Sequence, residues 1–333
     1  MKKNSKIVVI GGGTGTFVVL SGLKKYFNNL TAIVSMADSG GCNKMIRDEL
    51  GLLPTSDIRQ CFVALASGSS ETERIMRDLF TYRFTKGNGL TGMTFGNLFM
   101  AALSGVLGSQ KKAIEKTGQV LRINGKVVPV TLNDVDLVAK YENGEITKGE
   151  HYIDEPPSKH NSKLAISDFW LEPKAKANKD ALDEIKKADL IIMGPGDLYT
   201  SVLANCLVKG IPQAIKKSKA KLAYVVNLMT KYGQTYDYSA KKHLEEFKKY
   251  TGRWPGFVLI NSNKIPQQIE KKYWREEKSS PVEDDLDSKN YTVIRKDFLS
   301  AIIHKKSKAD ILKRSLIRHN SQKLAKAIVS LLK

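Results

Sequence analysis

The sequence has few of the residues on which disulfide frameworks, metal centres and common catalytic triads depend. Its 333 residues include three cysteines and five histidines. The cysteines lie far apart with no Cys-x-x-Cys pair, which argues against a disulfide framework or a zinc site and fits a reducing compartment. No His-Glu-x-x-His, Gly-x-Ser-x-Gly or kinase signature occurs, and no histidine follows a predicted strand end. Any catalysis would therefore depend on positioning and electrostatics, with Mg²⁺ on carboxylates as the candidate metal.

The hydropathy of the sequence also predicts neither a targeting segment nor a membrane-spanning segment. The N-terminus reaches its first strand at once, without the apolar core of a signal peptide. Residues 89–110 carry no charge, but glycines and polar residues interrupt the front of this stretch. Such a pattern favours a buried helix behind a glycine-rich loop over a membrane span. We therefore expect a cytoplasmic protein with no membrane span.

Negative charge is scarce relative to positive charge. The chain has 54 Lys and Arg against 34 Asp and Glu, for a formal net charge of +20. Such an excess can favour nucleic acid. However, the lysines are scattered over predicted helical faces, and no arginine-rich arm, helix-turn-helix spacing or aromatic RNA-binding signature accompanies them. We interpret the excess as solvated surface and predict no nucleic-acid partner.

What the sequence does contain is a glycine-rich turn between a strand and a helix. Residues 7–10 are a β-branched apolar run, typical of a strand buried on both faces of a parallel sheet. At such a turn, backbone N–H groups and a helix N-terminus attract phosphate, although glycines there can also serve close packing alone. The candidate phosphate-binding residues of this first glycine turn are Gly11, Gly12, Gly13, Thr14, Gly15 and Thr16.

This turn departs from two well-known phosphate-binding fingerprints. No window reads Gly-x-Gly-x-x-Gly, because Thr16 or Val18 stands at the third glycine position. No P-loop motif occurs either. These departures disfavour an NAD oxidoreductase and a P-loop NTPase. We also predict that Gly13→Val would block an anion's approach without unfolding the protein.

A second glycine turn, at residues 194–201, follows another buried strand at residues 190–193. Two such turns predict one shared cleft between the halves of a doubly wound, mostly parallel, Rossmann-like α/β sheet. Polar residues at other strand ends and helix starts are expected in the same cleft. The candidates of the second turn are Gly194, Pro195, Gly196, Tyr199, Thr200 and Ser201, and those from elsewhere are Asp38, Asp57, Arg59, Asn97, Asn227 and Thr230.

Several of these candidates have a simpler structural interpretation. Asp38 could form an Asx-turn, while Asp57 and Asn97 could each cap a helix. Arg59 lies in the first turn of a predicted helix, where a cation is unfavourable for the macrodipole, so contact with an anionic ligand would explain it better.

Residues 118–170 have a different, β-rich character. Alternating apolar residues surround Asn124-Gly125, a strong hairpin signal, and a second turn is predicted near residues 143–144. We therefore predict one α/β domain over residues 1–333, with a small β-rich insertion at 118–170.

Taken together, the loops resemble the YvcK/CofD family, in order over nearly the whole chain. The matching segments are Gly11-Gly12-Gly13-Thr14-Gly15, Ala37-Asp38-Ser39-Gly40-Gly41, Leu53-Pro54-Thr55-Ser56-Asp57-Ile58-Arg59, Gly96-Asn97-Leu98, Gly194-Pro195-Gly196-Asp197-Leu198-Tyr199-Thr200-Ser201, Asn227-Leu228-Met229-Thr230 and Arg318-His319. The length and the insertion resemble the gluconeogenesis-factor branch.

The resemblance implies a doubly wound fold, a homodimer and a cleft for a nucleotide-linked ligand. For the gluconeogenesis-factor branch it implies UDP-sugar binding and links to carbon metabolism, cell shape and cell-wall synthesis. The related branch, 2-phospho-L-lactate transferase, moves phospholactate from a guanosine carrier onto a deazaflavin with Mg²⁺. By that resemblance, Asp38 and Asp57 would be the candidates to hold Mg²⁺ or the acceptor.

This chain departs from the family pattern at three places. The family usually has Ala-Asp-Asp-Gly-Gly-Ser, but Ser39 replaces the second Asp and Cys42 replaces the Ser. The usual Gly-His-Ser before Gly-Asn is Gly92-Met93-Thr94. Losing a carboxylate and a histidine favours a UDP-sugar-binding regulatory protein over a transferase that acts on a GDP-type ligand.

Overall fold

The computed structural model describes residues 3–87, 89–287, 289–301 and 315–332. Within these ranges the strands form one large parallel sheet and one small antiparallel sheet. The large sheet comprises β1 (Lys6–Gly11), β2 (Asn29–Val34), β3 (Lys126–Pro129), β7 (Leu190–Met193), β8 (Lys221–Val225), β9 (Phe257–Asn261) and β10 (Thr292–Lys296). The small sheet comprises β4 (Asp136–Tyr141), β5 (Ile146–Lys148) and β6 (Ile166–Glu172).

The strand order of the large sheet, β10-β9-β8-β7-β1-β2-β3, confirms the doubly wound prediction. From β1 the chain first adds strands on one side and later, from β7 onward, on the other. β1 and β7 are neighbours in parallel register, with Ile7 opposite Leu190 and Ile10 opposite Met193. Their carboxyl ends therefore meet at the point where the winding direction changes, which is where open α/β sheets bind ligands.

The apolar runs of β1 and β7 form strands because both of their faces are covered. Residues 7–10 and 190–193 are at most 1% exposed. Burial on both faces replaces the alternating pattern of a half-exposed strand with a continuous apolar run. These two strands form the centre of the core.

Helices cover both faces of this sheet. The helices of the described chain are α1 (Gly13–Leu23), α2 (Cys42–Leu50), α3 (Ser56–Leu65), α4 (Glu71–Thr81), α5 (Phe95–Leu107), α6 (Gln110–Val120), α7 (Glu150–Asp154), α8 (Lys179–Lys187), α9 (Ile211–Lys217), α10 (Ala240–Thr251), α11 (Gln267–Glu277) and α12 (Ser321–Ser330), with a π-helical turn at Leu198–Val202 and a 3₁₀ turn at Leu203–Leu207. The short helix α7 packs on the small sheet. α1 packs against α3 and α12.

The uncharged stretch at residues 89–110 forms α5, as predicted, but the expectation that this helix is buried throughout is wrong. Val106 is 80% exposed, and only one face of the helix packs inward. Among the described residues, no helix is both long enough and apolar enough to cross a membrane.

The small sheet has the order β5-β4-β6, with both pairs antiparallel. It contacts the rest of the chain through aromatic residues. The Phe169 ring packs edge-on against the Tyr199 ring at 5.4 Å, and the Tyr141 hydroxyl donates a hydrogen bond to the Gly233 carbonyl at 3.3 Å. These contacts hold the small sheet beside the second glycine turn.

The hairpin predicted around Asn124-Gly125 is wrong. The residues before it complete α6, and the residues after it form β3, which pairs in parallel with β2 at the edge of the large sheet. Gly125 has a φ of +136°, and a Cβ there would lie 2.5 Å from the Leu30 carbonyl oxygen. The glycine therefore serves a tight helix-to-strand turn against β2. The antiparallel strands of the predicted 118–170 insertion begin only at Asp136. That residues 1–333 form one domain stays a prediction.

Candidate functional site

A cavity of about 760 Å³ lies at the carboxyl ends of the central strands. Residues that follow β1, β2, β7 and β8 line it together. The predicted residues that line it are Gly12, Gly13, Thr14, Gly15, Asp38, Asp57, Arg59, Asn97, Pro195, Gly196, Thr200, Ser201, Asn227 and Thr230. The predicted residues that the cavity lining does not include are Gly11, Thr16, Gly194 and Tyr199.

The first glycine turn brings the N-terminus of α1 to the cavity. The N-cap of this helix is Gly12, which provides no side-chain cap, and Gly13 has a φ of +59°. The first N–H groups of a helix have no partner within it, so this end of α1 can attract an anion. The positive φ adds to the expectation for Gly13→Val, because valine at this φ would strain the backbone in addition to blocking a ligand.

Gly15 has a packing role. A Cβ at this position would run into the Pro195 carbonyl group of the second glycine turn. The two turns are therefore in backbone contact, which only the absence of a side chain allows. The alternative of close packing, which the sequence left open, applies to this glycine.

Two backbone donors of the second glycine turn are used within the protein. The Gly196 N–H donates to Asn227 Oδ1 at 3.3 Å, and the Ser201 N–H donates to the Asp197 carbonyl at 3.0 Å. Tyr199, a predicted ligand contact, is fully buried, and its hydroxyl lies 3.2 Å from the Tyr238 hydroxyl. This turn presents fewer free backbone donors than the sequence suggested.

Two carboxylates approach the first turn. Asp38 Oδ1 accepts from the Gly40 N–H at 2.9 Å, the Asx-turn that the sequence left as an alternative, while the residue also lines the cavity. The Asp57 carboxylate lies where a Cβ on Gly12 would be. Asp57 therefore faces the anion-attracting end of α1.

Helix caps around the cavity differ from the prediction. Asn97 is not an N-cap: Thr94 holds that position in α5, and Asn97 is fully buried in the first turn. The N-terminus of α3 is instead capped by Asn43 of α2, whose Oδ1 accepts from the Thr55 and Ser56 N–H groups at 3.0 and 3.1 Å. Asn43 was not predicted, because its role depends on a long-range contact.

Arg59 and Thr230 line the cavity and also brace its walls. Arg59 Nη1 donates to the Phe80 carbonyl at 3.3 Å, and the arginine is 8% exposed. Thr230 exchanges hydrogen bonds with Ser280, since its N–H donates to the Ser280 carbonyl at 2.8 Å and its hydroxyl accepts from the Ser280 N–H at 3.0 Å. Both walls are thus fixed by backbone groups distant in sequence.

A charged cluster that the sequence did not reveal lies beside the second turn. Lys231 Nζ is 3.2 Å from Asp154 Oδ1 and 3.8 Å from Asp197 Oδ2. Burial alone would lower the pKa of Lys231, but the two carboxylates raise it above its ordinary value. Burial chiefly raises the pKa of Asp197 to about 6, with Asp154 adding to the effect and Lys231 opposing it. The ammonium group therefore stays charged in the cleft.

Ser39, where the chain differs from the family pattern, holds the short helix α7 at the cavity through two hydrogen bonds. The Ser39 hydroxyl accepts from the His151 N–H at 3.1 Å, and the Ser39 N–H donates to Glu150 Oε2 at 3.4 Å. Burial, followed by the charges of Asp38, Asp154 and Asp57, raises the pKa of Glu150 well above its ordinary value. A second carboxylate at position 39 would add to this repulsion, so serine suits the site.

The histidines are closer to the cavity than predicted. His151, His160 and His319 line it. His319 is 7% exposed, and burial lowers its pKa to about 4, so its ring is neutral near neutral pH. His304, which the prediction also placed away from the site, lies outside the described residues. Of the segments that resemble the family pattern, only Arg318-His319 predicted that a histidine lies in this cavity wall.

The donor set allows Mg²⁺ only together with a ligand. Among the described residues, no group of three or more His, Cys, Asp or Glu side chains could hold a metal. Mg²⁺ often uses one or two carboxylates and takes its other ligands from water and phosphate. A phosphate at the first turn would lie beside the Asp57 carboxylate, and a divalent cation would stabilise that contact. Asp38 and Asp57 thus fit Mg²⁺ that arrives with a phosphorylated ligand.

Comparison with known proteins agrees with this geometry. Residues 7–299 match the family described as 2-phospho-L-lactate transferase CofD. A protein of Thermoanaerobacterium thermosulfurigenes, provisionally named a gluconeogenesis factor, is 44% identical over 98% of this chain and 97% of its own. The gluconeogenesis factor of Bacillus subtilis is 37% identical over the full length of both chains. A crystal structure of a UPF0052 family member from Bacillus halodurans has a TM-score of 0.87 at 35% identity and covers 99% of each chain. This chain therefore belongs to the CofD family.

Proposed function

We propose that this chain is a cytoplasmic regulatory protein that binds a nucleotide sugar of the UDP-sugar class. The observation that carries the proposal is the first glycine turn, where the positive φ of Gly13 directs the N-terminus of α1 toward the cavity. Helix N-termini without a side-chain cap bind phosphate through their free N–H groups and their dipole. The position at the switch between β1 and β7 supports a nucleotide-linked ligand.

The rest of the cavity suits the non-phosphate parts of such a ligand. Its volume of about 760 Å³ lies within the usual range for small-molecule sites. Polar side chains that can bind hydroxyl groups, among them Asn97, Asn227 and Thr200, line it next to the turn. Lys231, which stays charged, provides a cation beside the second turn.

The proposed biological role rests on the names of the relatives. The Bacillus subtilis relative is named gluconeogenesis factor, and we propose a corresponding role here, in which ligand binding reports on carbon metabolism and influences cell shape and cell-wall synthesis. We further propose that the chain acts as a homodimer.

A second candidate is a transferase of the 2-phospho-L-lactate type, which the family description favours. In that case Asp38 and Asp57 would hold Mg²⁺, which would neutralise phosphate charge when bound. The contacts of Ser39 disfavour this candidate, because the hydroxyl and N–H of residue 39 are directed to α7.

Calorimetric titration distinguishes the two candidates. The purified chain is titrated with UDP-N-acetylglucosamine, UDP-glucose, GDP and NAD, each with Mg²⁺ and with EDTA, and the mixtures are assayed for turnover. We expect tight binding of a uridine sugar without turnover. Preference for GDP with a metal requirement, or transfer to a deazaflavin acceptor, would establish the transferase instead. Binding of NAD alone would contradict both candidates.

A further inference from the structure

A chain of three polar side chains fixes the orientation of one amide group in the cavity wall. Asn43 Oδ1 accepts from the Thr55 and Ser56 N–H groups. Because backbone N–H groups can only donate, the atom they share must be the amide oxygen. The Ser56 hydroxyl lies 2.9 Å from that same oxygen and must donate its single hydrogen to it.

The orientation of Asn97 follows from this contact. The Asn97 side chain lies 3.1 Å from Ser56 Oγ. Since Ser56 has already used its hydrogen, its oxygen can only accept, and the Asn97 atom facing it must be the NH₂ group. Asn97 Oδ1 therefore points away from Ser56, and its position as an acceptor does not depend on the choice of amide flip.

Asn97 Oδ1 is buried and makes no hydrogen bond within the described protein, and the fully buried residue lines the cavity. Thr94 next to it shows the same feature. It is the N-cap of the 13-residue helix α5 and 1% exposed, yet its hydroxyl forms no cap and has no partner. Buried polar atoms without a partner are costly, so two of them together in a cavity wall indicate a ligand group.

We infer that Asn97 Oδ1, oriented by Asn43 and Ser56, accepts a hydrogen bond from a hydroxyl group of the ligand. A phosphate oxygen has no hydrogen to donate and would be repelled by this acceptor. Thr94, whose hydroxyl can donate or accept, completes a subsite that suits a sugar. The inference deepens the proposed function and rests on it: the phosphates bind at the first glycine turn, and a sugar hydroxyl binds at the start of α5.

The hydroxyl could belong to the hexose or to the ribose of a nucleotide sugar. Titrations of Asn97→Ala with UDP-glucose, UDP and 2′,3′-dideoxy-UDP, which lacks both ribose hydroxyls, separate the two sources. Loss of one hydrogen bond predicts about three- to tenfold weaker binding. A hexose contact weakens only UDP-glucose, whereas a contact with either ribose hydroxyl weakens UDP-glucose and UDP but not 2′,3′-dideoxy-UDP. Either pattern supports the inference.

Two further variants control the experiment. Ser56→Ala removes the group that orients Asn97 but leaves the Asn43 cap on α3, and we expect about two- to threefold weaker binding with the same ligand selectivity. Ser104→Ala removes a buried hydroxyl on the same helix that donates to the Met100 carbonyl and does not line the cavity. It should bind every ligand like the wild type.

Equal weakening of all three ligands by Asn97→Ala would overturn the inference, since it would place Asn97 at the phosphates or the base. Unchanged affinity would overturn it as well. Wild-type affinity in Ser56→Ala would remove the orienting role of that serine. Each of these results leaves the proposed function intact, provided that the wild type binds UDP-glucose. Failure of the wild type to bind any uridine ligand would instead contradict the proposed function.

Discussion

The first glycine turn leads into an α-helix of 11 residues beside the Asp57 carboxylate, whereas the second leads into a short π-helical turn and is braced by a side chain. Around Gly13 the helix has no side-chain cap and the backbone has a positive φ. Around Gly196, Asn227 Oδ1 accepts from the Gly196 N–H, and the Asp197 carbonyl accepts from the Ser201 and Val202 N–H groups, while the Asp197 side chain provides no cap. Both turns thus begin a helix without a side-chain cap, and they differ in the length of that helix and in the Asn227 brace on the second turn.

The difference assigns complementary roles to the turns. The second turn supports the first from behind, because the Pro195 carbonyl fills the space that a side chain on Gly15 would take. It contributes side chains to the cleft, including Asp197 and Thr200. The phosphates of a ligand would therefore bind mainly at the first turn, and the second turn would set its position and charge.

The largest expected effect comes from breaking the contact between the turns. Gly15→Val would push a side chain into the Pro195 backbone, which cannot move aside as a flexible side chain could. Overpacking of this kind typically costs about 1–3 kcal/mol, and a clash with backbone lies at the upper end. Urea unfolding should show this loss, and titration should show no ligand binding.

Gly105→Ala is the matched control for that substitution. Gly105 lies within α5, and a Cβ there meets nothing within 4 Å. Alanine in place of glycine in a helix should stabilise the protein by about 0.5–1 kcal/mol. A Gly15→Val protein as stable as the wild type would show that the two turns are not in firm contact.

The next largest loss of stability is expected when the ion pairs of Lys231, beside the second turn, are removed. Lys231→Met would leave Asp154 and Asp197 without their shared cation. Breaking a buried ion pair costs about 3–5 kcal/mol, but these side chains are a quarter to a third exposed, so about 1–3 kcal/mol is expected. Urea unfolding near neutral pH measures the loss.

Lys148→Met serves as its control. Lys148 forms an ion pair with Glu172 at 2.8 Å on the small sheet, with both side chains more than half exposed. Exposed pairs contribute about 0–1 kcal/mol. Equal losses in the two variants would mean that Lys231 is an ordinary surface residue and that the second turn does not depend on it.

Much of this comparison could be predicted from local pattern. The apolar runs at residues 7–10 and 190–193 predicted two central strands, and the glycines after each predicted turns at one sheet edge. The signal is strong because burial on both faces constrains every residue of such a strand. By contrast, Asn124-Gly125 specifies a tight turn but not the partner of the following strand. Tertiary packing places that strand, β3, beside β2.

The site was predictable only where its residues adjoin a strand end or helix start. Lys231 contacts Asp154 and Asp197 because three segments that are distant in sequence pack together. No residue spacing in the sequence predicts that contact. Tyr199 shows the opposite error, since it stands between residues that line the cavity, but the π-helical turn directs its side chain into the core. Local pattern identified the loops, while tertiary packing decided which of their side chains face the cleft.

A smaller effect is expected when the second turn loses its side-chain brace. Asn227→Ala would leave the Gly196 N–H without its acceptor, at a cost of about 0.5–1.5 kcal/mol. Asn227→Asp keeps an acceptor oxygen and should retain most of the stability. Thermal unfolding without ligand measures the brace, and titration with UDP-glucose measures any direct contact. Wild-type stability in both variants would show that Asn227 serves the ligand alone.

The smallest effect, a pH dependence, tests whether the second turn carries a titrating charge. The pKa of Asp197 is raised from 3.8 to about 6 in the folded chain, chiefly by burial. A raised carboxyl pKa means that the folded state binds the proton more tightly than the unfolded state. The stability contributed by Asp197 is therefore fully present below 3.8 and is lost as the pH rises through about 6.

In the Asp197→Asn variant the side chain at position 197 cannot ionise, so the variant should not lose this stability as the pH rises. The stability of the variant relative to the wild type should therefore increase between about pH 4 and pH 6 and level off above that range. Urea unfolding at several pH values measures the difference, and because Asp197 is about one third exposed, screening by solvent will keep it small. A difference that stays constant with pH would mean that Asp197 ionises as readily in the folded chain as in the unfolded one. The second turn would then present a permanent negative charge to the ligand, and Lys231 would be needed to neutralise it.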